Sequence, residues 1–431
     1  MKELLKKIPG VYHLGHFVKQ RYLDLVALFH MTQERLIRRD KGPIRVGFLC
    51  QYIPAWTKVA PIYEKMVADN RFDPYLICIP SEQVMGKDTF SAQPENDTYD
   101  YFVANGYRAI NALTGPEQWL DLKELKLSYI FYPRPYNNLL PVCYRAQKVS
   151  CYSKICLIMY GMTFAKEDTQ IALNRDFMSH VYAYFAETTY SQQQNIKNNK
   201  VLHALKLQKS FSLGYPVFDA LMAKKNEKSL SWDFSKNDFR VLWTPRWTTD
   251  KAVGGTNFFT FYEKLMEYAK AHPDVDFLHR PHPLAFDYFL KTGAMTQQQV
   301  DDYKTLCQEM PNVSLDQQRE YEATFWGSSV LVSDISGMMP EFFATGKPLV
   351  FCRGNMELEL APHILRMLEG CYVVETAQEL FDILEQLKAG NDPLAQTRQA
   401  LICELFGDLN KQSSAAITDA IAQTTNTESR K

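Results

Sequence analysis

The sequence predicts an α/β protein with two tandem domains, each built on a parallel sheet. Short apolar runs bounded by breakers alternate with helical patterns, and this alternation begins twice, before and after the polar, lysine-rich stretch 224–238. Strands that alternate with helices in this way are typical of parallel sheets covered on both faces. The length of 431 residues suffices for two domains of ordinary size.

The first series begins after Gly42-Pro43, where apolar runs indicate buried strands. Its predicted strands are IRVGFLC, FDPYLICIP, LSYIFYPRP and KICLIMYGM, and its predicted helices are KVAPIYEKMVADN and YDYFVANGYRAINAL. In the second series the predicted strands are FRVLWTP, VDFLHRPHP, VLVSDIS, KPLVFCR and CYVVE, and the predicted helices are NFFTFYEKLMEYAKA, YEATFWGSS, MMPEFFATG and TAQELFDILEQLKAG.

The pattern divides the chain into five parts. These are a helical segment 1–42, a first domain 43–223, a linker 224–238, a second domain 239–400, and a carboxyl-terminal helix and tail 401–431. Because α/β folds bind ligands at the carboxyl ends of their strands, we expect a binding cleft between the two domains.

Composition narrows the class of protein. Hydrophobic residues make up 46% and charged residues 23%, which is typical of a globular chain, and the net charge of −1 predicts no attraction to nucleic acid. The nine cysteines form no C-x-x-C pair, so we expect no metal cluster and a reducing cytoplasm. MKELLKKIPG lacks the apolar core of a secretory signal, and no apolar run approaches the roughly 20 residues of a membrane span.

The amino-terminal segment is basic. Residues 1–41 contain nine Lys or Arg and four acids, a local net charge of +5, and apolar residues recur at helical spacing in YLDLVALFHMTQERLIRR. Such a pattern predicts either a helix on an anionic membrane surface or a solvated helix packed on the first domain. Under the first alternative the protein is peripheral on the inner face of the cytoplasmic membrane.

Two segments that close predicted strands carry the polar residues. In FLHRPHPLAF, residues 277–286, Arg280 and His282 alternate with prolines. Each proline fixes its own φ and restricts the residue before it, so both side chains should point in a set direction. His282 also has the simpler interpretation of a loop histidine.

The other segment is VLVSDISGMMPEFFATGKPLVF, residues 330–351. It places Asp334 at a strand end, Ser336 and Gly337 at a helix start, and Glu341 in the first turns of that helix. A helix start binds anions, and a glycine permits close approach of a ligand. Ser336 also suits an ordinary N-cap. Because phosphate recognition needs cations and a helix amino end together, the two segments indicate a nucleotide or phosphate site.

The order of these motifs resembles the CDP-glycerol glycerophosphotransferase family of teichoic acid and capsule enzymes. The matching residues are Arg280, His282, Pro283, Asp334, Ser336, Glu341, Lys347 and Pro348. Three further segments resemble family motifs, namely GYPVFDAL (214–221), LWTPRWT (242–248) and, loosely, LFGDLNKQSSAAITDAI (405–421). The resemblance covers roughly residues 150–420.

The resemblance implies a GT-B-like pair of Rossmann-type domains with the nucleotide on the second. The implied reaction is attack by an acceptor hydroxyl on the β-phosphate of CDP-glycerol or a related CDP-polyol, with release of CMP and no cofactor. The implied acceptor is a surface glycan or a lipid-linked glycan. Arg280, His282 and the helix start at Ser336 would neutralise the pyrophosphate, Arg246 would be a further clamp, and Glu341 would hold the ribose.

One departure concerns the acceptor. Family members carry W-H-G in the first domain, whose histidine activates the acceptor, whereas MYGMTFAKE has Tyr160 before Gly161. A phenol keeps its proton at neutral pH, so we expect Tyr160, with Gly161, to position the acceptor, or Tyr160 to be a packing residue. Gly337 likewise replaces the second serine of the family pair.

Two alternatives to a polyol-phosphate transferase also fit the sequence. One is a glycosyltransferase that uses a CMP-sugar or nucleoside-diphosphate-sugar, since bacterial sialyltransferases have similar H-P and serine motifs. The other is a non-catalytic scaffold that binds a cytidine nucleotide, an alternative raised by Tyr160. The acidic run KEDTQ at 166–170 is interpreted as a solvated turn.

Overall fold

The computed structural model describes residues 9–37, 42–81, 95–354 and 356–429. The chain forms two compact units. The first contains the chain up to Gly161, Thr169–Val217 and Gln412 onward, and the second contains Met162–Asp168 and Phe218–Lys411.

Fifteen strands are present in the described residues, and each of the two large sheets belongs to one unit. In chain order the strands are β1 (Ile44–Cys50), β2 (Phe72–Cys78), β3 (Ala109–Asn111), β4 (Leu113–Gly115), β5 (Gln118–Trp119), β6 (Tyr129–Tyr132), β7 (Lys154–Ile158), β8 (Val181–Phe185), β9 (Lys209–Phe211), β10 (Phe239–Thr244), β11 (Val275–His279), β12 (Val313–Leu315), β13 (Val330–Ser333), β14 (Leu349–Cys352) and β15 (Tyr372–Val374).

The α-helices connect and cover these strands. In chain order they are α1 (Pro9–Arg35), α2 (Ala60–Val67), α3 (Asp97–Ala104), α4 (Ala146–Val149), α5 (Lys166–Ala172), α6 (Arg175–Met178), α7 (Thr189–Asn198), α8 (Lys200–Ala204), α9 (Val217–Ala223), α10 (Phe258–Ala271), α11 (Ala285–Thr292), α12 (Gln297–Glu309), α13 (Glu322–Gly327), α14 (Met338–Phe343), α15 (Pro362–Leu368), α16 (Ala377–Lys388), α17 (Ala395–Phe406) and α18 (Ser413–Ser429).

Both large sheets are parallel and doubly wound. The first has the order β3-β2-β1-β6-β7-β8-β9 and the second the order β12-β11-β10-β13-β14-β15. Each sheet therefore begins near its centre and runs first to one side and then to the other, as in Rossmann folds. The central strands are almost wholly apolar and buried, which a parallel sheet covered on both faces requires. This confirms the predicted α/β class.

One predicted helix is partly wrong. The pattern YDYFVANGYRAINAL forms α3 only up to Ala104, and Ala109–Asn111 instead pairs with β2 as a strand. Gly106 lies between them at φ +79°, a left-handed conformation that ends a helix. Strands β8, β9 and β12 were not predicted.

The polar stretch 224–238 is packed within the second unit. Trp232 is buried and donates its indole N–H to the Thr324 carbonyl at 3.1 Å. Buried Asp276 accepts hydrogen bonds from Ser235 and Asn237. The stretch predicted as a linker therefore has buried hydrogen-bond partners in the second unit.

The carboxyl-terminal residues divide between the units. Helix α17 belongs to the second unit, whereas α18 belongs to the first and packs against α2. Thr425 forms a 2.9 Å hydrogen bond with Tyr129. Helix α18 continues to Ser429, so most of the expected tail is helical.

Candidate functional site

The predicted site residues of the second unit lie where its sheet changes direction. Strands β10 and β13 are neighbours at the centre of the sheet, with Thr244 opposite Ser333. These two side chains hydrogen-bond to each other at 2.8 Å. The chain leaves β10 toward one side of the sheet and β13 toward the other, and a crevice at such a point is where doubly wound folds bind ligands. Arg246 and Asp334 lie at these strand ends.

Asp334 holds the two strand ends together. Its buried carboxylate accepts the backbone N–H of Arg246 at 2.5 Å and that of Asn257 at 2.8 Å. Burial raises the pKa of Asp334 to about 7, while the two hydrogen bonds and the charge of Arg246 act in the opposite direction. Both carboxylate oxygens are used by the protein, so Asp334 acts as a clamp on the loop that carries Arg246.

Arg246 supplies a positive charge at this edge. Its Nη1 donates to the Ile335 carbonyl at 3.0 Å, and its Nε has no hydrogen-bond partner among the described residues. Burial lowers the pKa of Arg246, and the charges of Asp334 and Asp168 oppose this shift. A side chain at Gly254, where φ is +102°, would come within 3.2 Å of the Arg246 Nε. The absence of a side chain at Gly254 thus leaves room for the Arg246 guanidinium.

His282 interacts electrostatically with Arg246. Burial, and then the charge of Arg246, lower the pKa of His282 to about 4, so the ring is neutral at pH 7. Nδ1 accepts the Leu284 N–H at 3.2 Å, which leaves the proton of the neutral ring on Nε2. The Trp247 ring lies 6.1 Å from the imidazole, centroid to centroid. His282 is therefore arranged as a neutral hydrogen-bond donor.

Arg280 is held by the protein itself. Its Nη1 donates to Asp316 at 2.5 Å and its Nη2 to the Arg319 carbonyl at 3.0 Å. The Asp316 side chain is fully buried, and the Tyr321 ring lies 5.4 Å from the Arg280 Cζ. This ion pair offsets the charge of Arg280, and the predicted contact with pyrophosphate stays a prediction.

The start of α14 offers a weaker anion site than expected. The helix has only six residues, and so few aligned peptide dipoles, and the Ser336 Oγ accepts the Met338 N–H at 3.2 Å. Gly337 has an ordinary helical φ of −57°, and a side chain there would meet nothing within 4 Å. Glu341 is buried and accepts the Tyr321 hydroxyl at 2.5 Å. The predicted ligand contacts of these residues stay predictions.

In the first unit, Tyr160 and Gly161 follow β7 at the carboxyl edge of the sheet, and both are half-buried. The Arg134 guanidinium lies 5.3, 5.6 and 5.7 Å from the rings of Tyr52, Tyr136 and Tyr160. These distances are those of cation–π contacts. Tyr160 thus joins a cationic aromatic cluster, and its acceptor role stays a prediction.

Several of these residues were not predicted from the sequence. Arg134 stands between two prolines after a strand, the same signal that identified Arg280 and His282. Asp316 follows β12, a strand that was itself missed. Tyr321 lies in a polar loop without a motif.

The structure gives Lys347 and Asp168 roles that the sequence did not indicate. Lys347, matched to the family motif, donates to the carbonyls of Phe325, Trp326 and Ser328, and so caps the end of α13. Burial lowers the pKa of Lys347 to about 8. Asp168 is exposed, but the expected turn at 166–170 is wrong, because these residues are helical and belong to α5. The charge of Asp168 acts on Arg246.

Among the described residues, no group of three or more His, Cys, Asp or Glu side chains is placed to hold a metal ion. None of the described helices is long and apolar enough to cross a membrane. The expectation that the reaction needs no cofactor stays a prediction.

Two Rossmann-like units, with an arginine and a neutral histidine at the switch point of the second, define a protein of the GT-B-like fold class. Solved structures share this fold. A UDP-N-acetylglucosamine 2-epimerase is 13% identical with a TM-score of 0.59, covering 90% of this chain and 97% of that one. The UDP-GlcNAc 2-epimerase from Neisseria meningitidis is 16% identical, with a TM-score of 0.58 and coverages of 89% and 100%. The wall teichoic acid polymerase TagF, soaked with CDPG, is 13% identical, with a TM-score of 0.56 and coverages of 97% and 97%.

The sequence profile of the CDP-Glycerol:Poly(glycerophosphate) glycerophosphotransferase family matches residues 161–423. The chain belongs to this family. The predicted family, its CDP-glycerol donor and its reaction class are thereby confirmed. A comparison with curated proteins gave no match.

Proposed function

We propose that this glycerophosphotransferase moves glycerol phosphate from CDP-glycerol to a hydroxyl group of a surface glycan or a lipid-linked glycan. The observation that carries the site assignment is the Asp334 clamp, which holds Arg246 at the switch point of the second sheet. A pyrophosphate there would meet a fixed cation and, from His282, a neutral N–H donor.

In the proposed step the acceptor oxygen attacks the β-phosphorus of CDP-glycerol. The bond between that phosphorus and the bridging oxygen breaks, and CMP leaves with the bridging oxygen and the electron pair. The acceptor proton passes to solvent. Arg246 offsets the negative charge that develops on the departing phosphate, and the Nε2–H of His282 donates to the same phosphate. Because an adjacent anion favours the imidazolium, bound donor raises the pKa of His282.

Acceptor binding is assigned to the first unit. Tyr160 and Gly161 occupy the strand end that corresponds to the family's acceptor segment, and Arg134 adds a positive charge beside Tyr160. A phenol and a guanidinium suit the hydroxyl and phosphate groups of a polyol-phosphate chain. In this proposal Tyr160 orients the acceptor.

We further place the reaction at the inner face of the cytoplasmic membrane, where lipid-linked acceptors are available. The support is the net charge of +5 in residues 1–41. Lys2, Lys6, Lys7, Arg38, Arg39 and Lys41 of this segment lie outside the described residues.

The test is CMP release from CDP-glycerol in the presence of an acceptor extract. CDP-ribitol and CMP-sialic acid are assayed as donors in separate reactions. Wild type should release CMP from CDP-glycerol, and Arg246→Ala and His282→Ala should lose most of this activity. The control His272→Ala should retain it, because His272 lies before β11, at the opposite end of that strand from His282, and pairs with Glu385. Release only from CMP-sialic acid would identify a glycosyltransferase. CMP binding without turnover of any donor would identify a scaffold.

A further inference from the structure

Asp168 presents an exposed carboxylate at the start of α5. Its Oδ2 accepts the Ala165 N–H at 3.4 Å, a long hydrogen bond, and its Oδ1 accepts none from the described residues. Glu167, the preceding acid, is also exposed but lies about 100° away around the helix axis. Asp168 can therefore accept further hydrogen bonds from a bound molecule.

The segment that leads into α5 is fixed to the loop that follows β14. The Lys166 N–H donates to the Glu359 carbonyl at 2.9 Å, and the Ala361 N–H donates to the Phe164 carbonyl at 2.7 Å. All four residues belong to the second unit, as does Asp168. These backbone hydrogen bonds therefore fix the position of Asp168 within that unit.

The same loop reaches Arg246. A Cβ atom added at Gly254 would lie 3.2 Å from the Arg246 Nε and 3.3 Å from the Leu358 Cδ1, so these two side chains meet beside Gly254. Burial lowers the pKa of Arg246, and the charges of Asp334 and then Asp168 oppose this shift. Both the loop contacts and this electrostatic interaction place the carboxylate of Asp168 near the Arg246 guanidinium.

Two other titratable groups interact with Arg246, and neither is arranged to take a proton from a substrate. Asp334 is buried, and its two oxygens accept backbone N–H groups. The Nδ1 of His282 also accepts a backbone N–H, so its Nε2 carries the ring proton. Of these groups around Arg246, Asp168 is the one whose carboxylate is exposed and can act as a base.

We propose that Asp168 is the general base of the transfer and accepts the proton of the acceptor hydroxyl as that oxygen attacks the β-phosphorus. The O–H bond breaks while the new P–O bond forms, and CMP leaves with the bridging oxygen and its electron pair. The protonated carboxyl group then releases the proton to solvent. Protein kinases use an aspartate in the same way beside the cations that hold phosphate. The inference rests on the proposed function and names the residue through which the acceptor proton reaches solvent.

The experiment compares Asp168 with its neighbour on the same helical turn. With CDP-glycerol and an acceptor extract, Asp168→Ala should lower the maximal rate of CMP release about 100-fold, since general bases typically contribute this much. Asp168→Glu, which keeps a carboxylate, should recover part of the rate. The matched control Glu167→Ala removes an exposed carboxylate one residue away and should release CMP like wild type. Titration calorimetry should give the same CMP affinity for all four proteins, and circular dichroism verifies that each is folded.

Added formate provides a measurement that a structural role would not change. Formate is a small carboxylate that can enter the space left in Asp168→Ala and accept the proton in its place. We expect it to raise the rate of Asp168→Ala at least about fivefold and to leave wild type and Glu167→Ala unchanged.

An unchanged rate in Asp168→Ala, or a loss that neither formate nor Asp168→Glu restores, would overturn the proposal. Tighter CMP binding by Asp168→Ala with an unchanged rate would make Asp168 only a counter-charge for Arg246, which also contradicts it. If wild type releases CMP from no CDP-polyol, the proposed function itself fails. Normal release by wild type together with an active Asp168→Ala protein contradicts the role of Asp168 alone.

Discussion

The carboxylate of Asp334 accepts the backbone N–H of Arg246 at 2.5 Å, so that the residue after β13 fixes the loop after β10. Its other oxygen accepts the N–H of Asn257, the residue before α10. One buried carboxylate thus determines the position of the positive charge in the proposed donor site.

Replacing Asp334 should therefore lower the stability of the folded protein. Asp334→Ala leaves two backbone N–H groups without their acceptor, and we expect a loss of about 3 kcal/mol in the free energy of unfolding. Urea denaturation at pH 7 measures this loss. Asp302→Ala, at an exposed position on α12, is the control and should change it little. A stable Asp334→Ala protein would show that the clamp is dispensable.

Arg246 should be required for nucleotide affinity. We expect Arg246→Ala to weaken CMP binding about 30-fold, because a partly desolvated guanidinium can form charge-assisted hydrogen bonds with phosphate. Arg246→Lys should recover part of that loss, since Lys keeps the charge but not the planar fork. Titration calorimetry with CMP distinguishes the three proteins. Equal affinities in all three would place the nucleotide away from β10.

His282 should act through its neutral N–H. We expect His282→Ala to lower kcat/KM about 100-fold and His282→Gln, which keeps an N–H donor, to lower it about tenfold. Steady-state CMP release gives both values. If Gln is no better than Ala, the imidazole transfers a proton instead of only donating a hydrogen bond.

Tyr160 should influence the acceptor and not the donor. In Tyr160→Phe the ring remains beside Arg134 while the hydroxyl is lost, so we expect the acceptor KM to rise about fivefold with CMP affinity unchanged. Initial rates at varied acceptor concentration test this. An unchanged acceptor KM would make Tyr160 a packing residue.

His279 should contribute to acid sensitivity. Burial lowers its pKa to about 3, so the folded protein holds it neutral while the unfolded chain binds a proton below its ordinary value of 6.5. Its contribution to stability is complete above pH 6.5 and falls as the pH decreases toward 3. Between pH 7 and 5 we expect the unfolding free energy of wild type to fall by about 2 kcal/mol more than that of His279→Gln. Urea denaturation at the two pH values measures the difference, and equal decreases would contradict it.

The positions of the proposed donor-site residues in the fold were predictable because these residues follow strands with strong apolar patterns. Runs such as FRVLWTP and VLVSDIS are too apolar to lie outside a sheet, and the carboxyl ends of parallel strands meet at one edge. Arg246, His282 and Asp334 could therefore be named from the sequence. The contacts that each of these residues makes could not be predicted, because they depend on which atoms meet across neighbouring strands.

Two of the missed strands, β9 and β12, have a common cause. Strands β9 and β12 have only three residues each, too few for a periodic pattern, and Asp316 after β12 was missed with its strand. Without Asp316 the sequence offers no reason to expect that Arg280 is neutralised within the protein.

By itself, the sequence determined the two α/β units, the family and the strand ends that carry the polar residues, because these depend on local pattern and motif order. Only the tertiary structure decided that Asp334 is a clamp, that Arg280 is ion-paired, and that the acids of α1 face inward while its apolar residues face outward. The physical reason is that burial and hydrogen bonding arise between residues distant in the chain. A side chain's charge and role are set by those neighbours, and local sequence does not specify them.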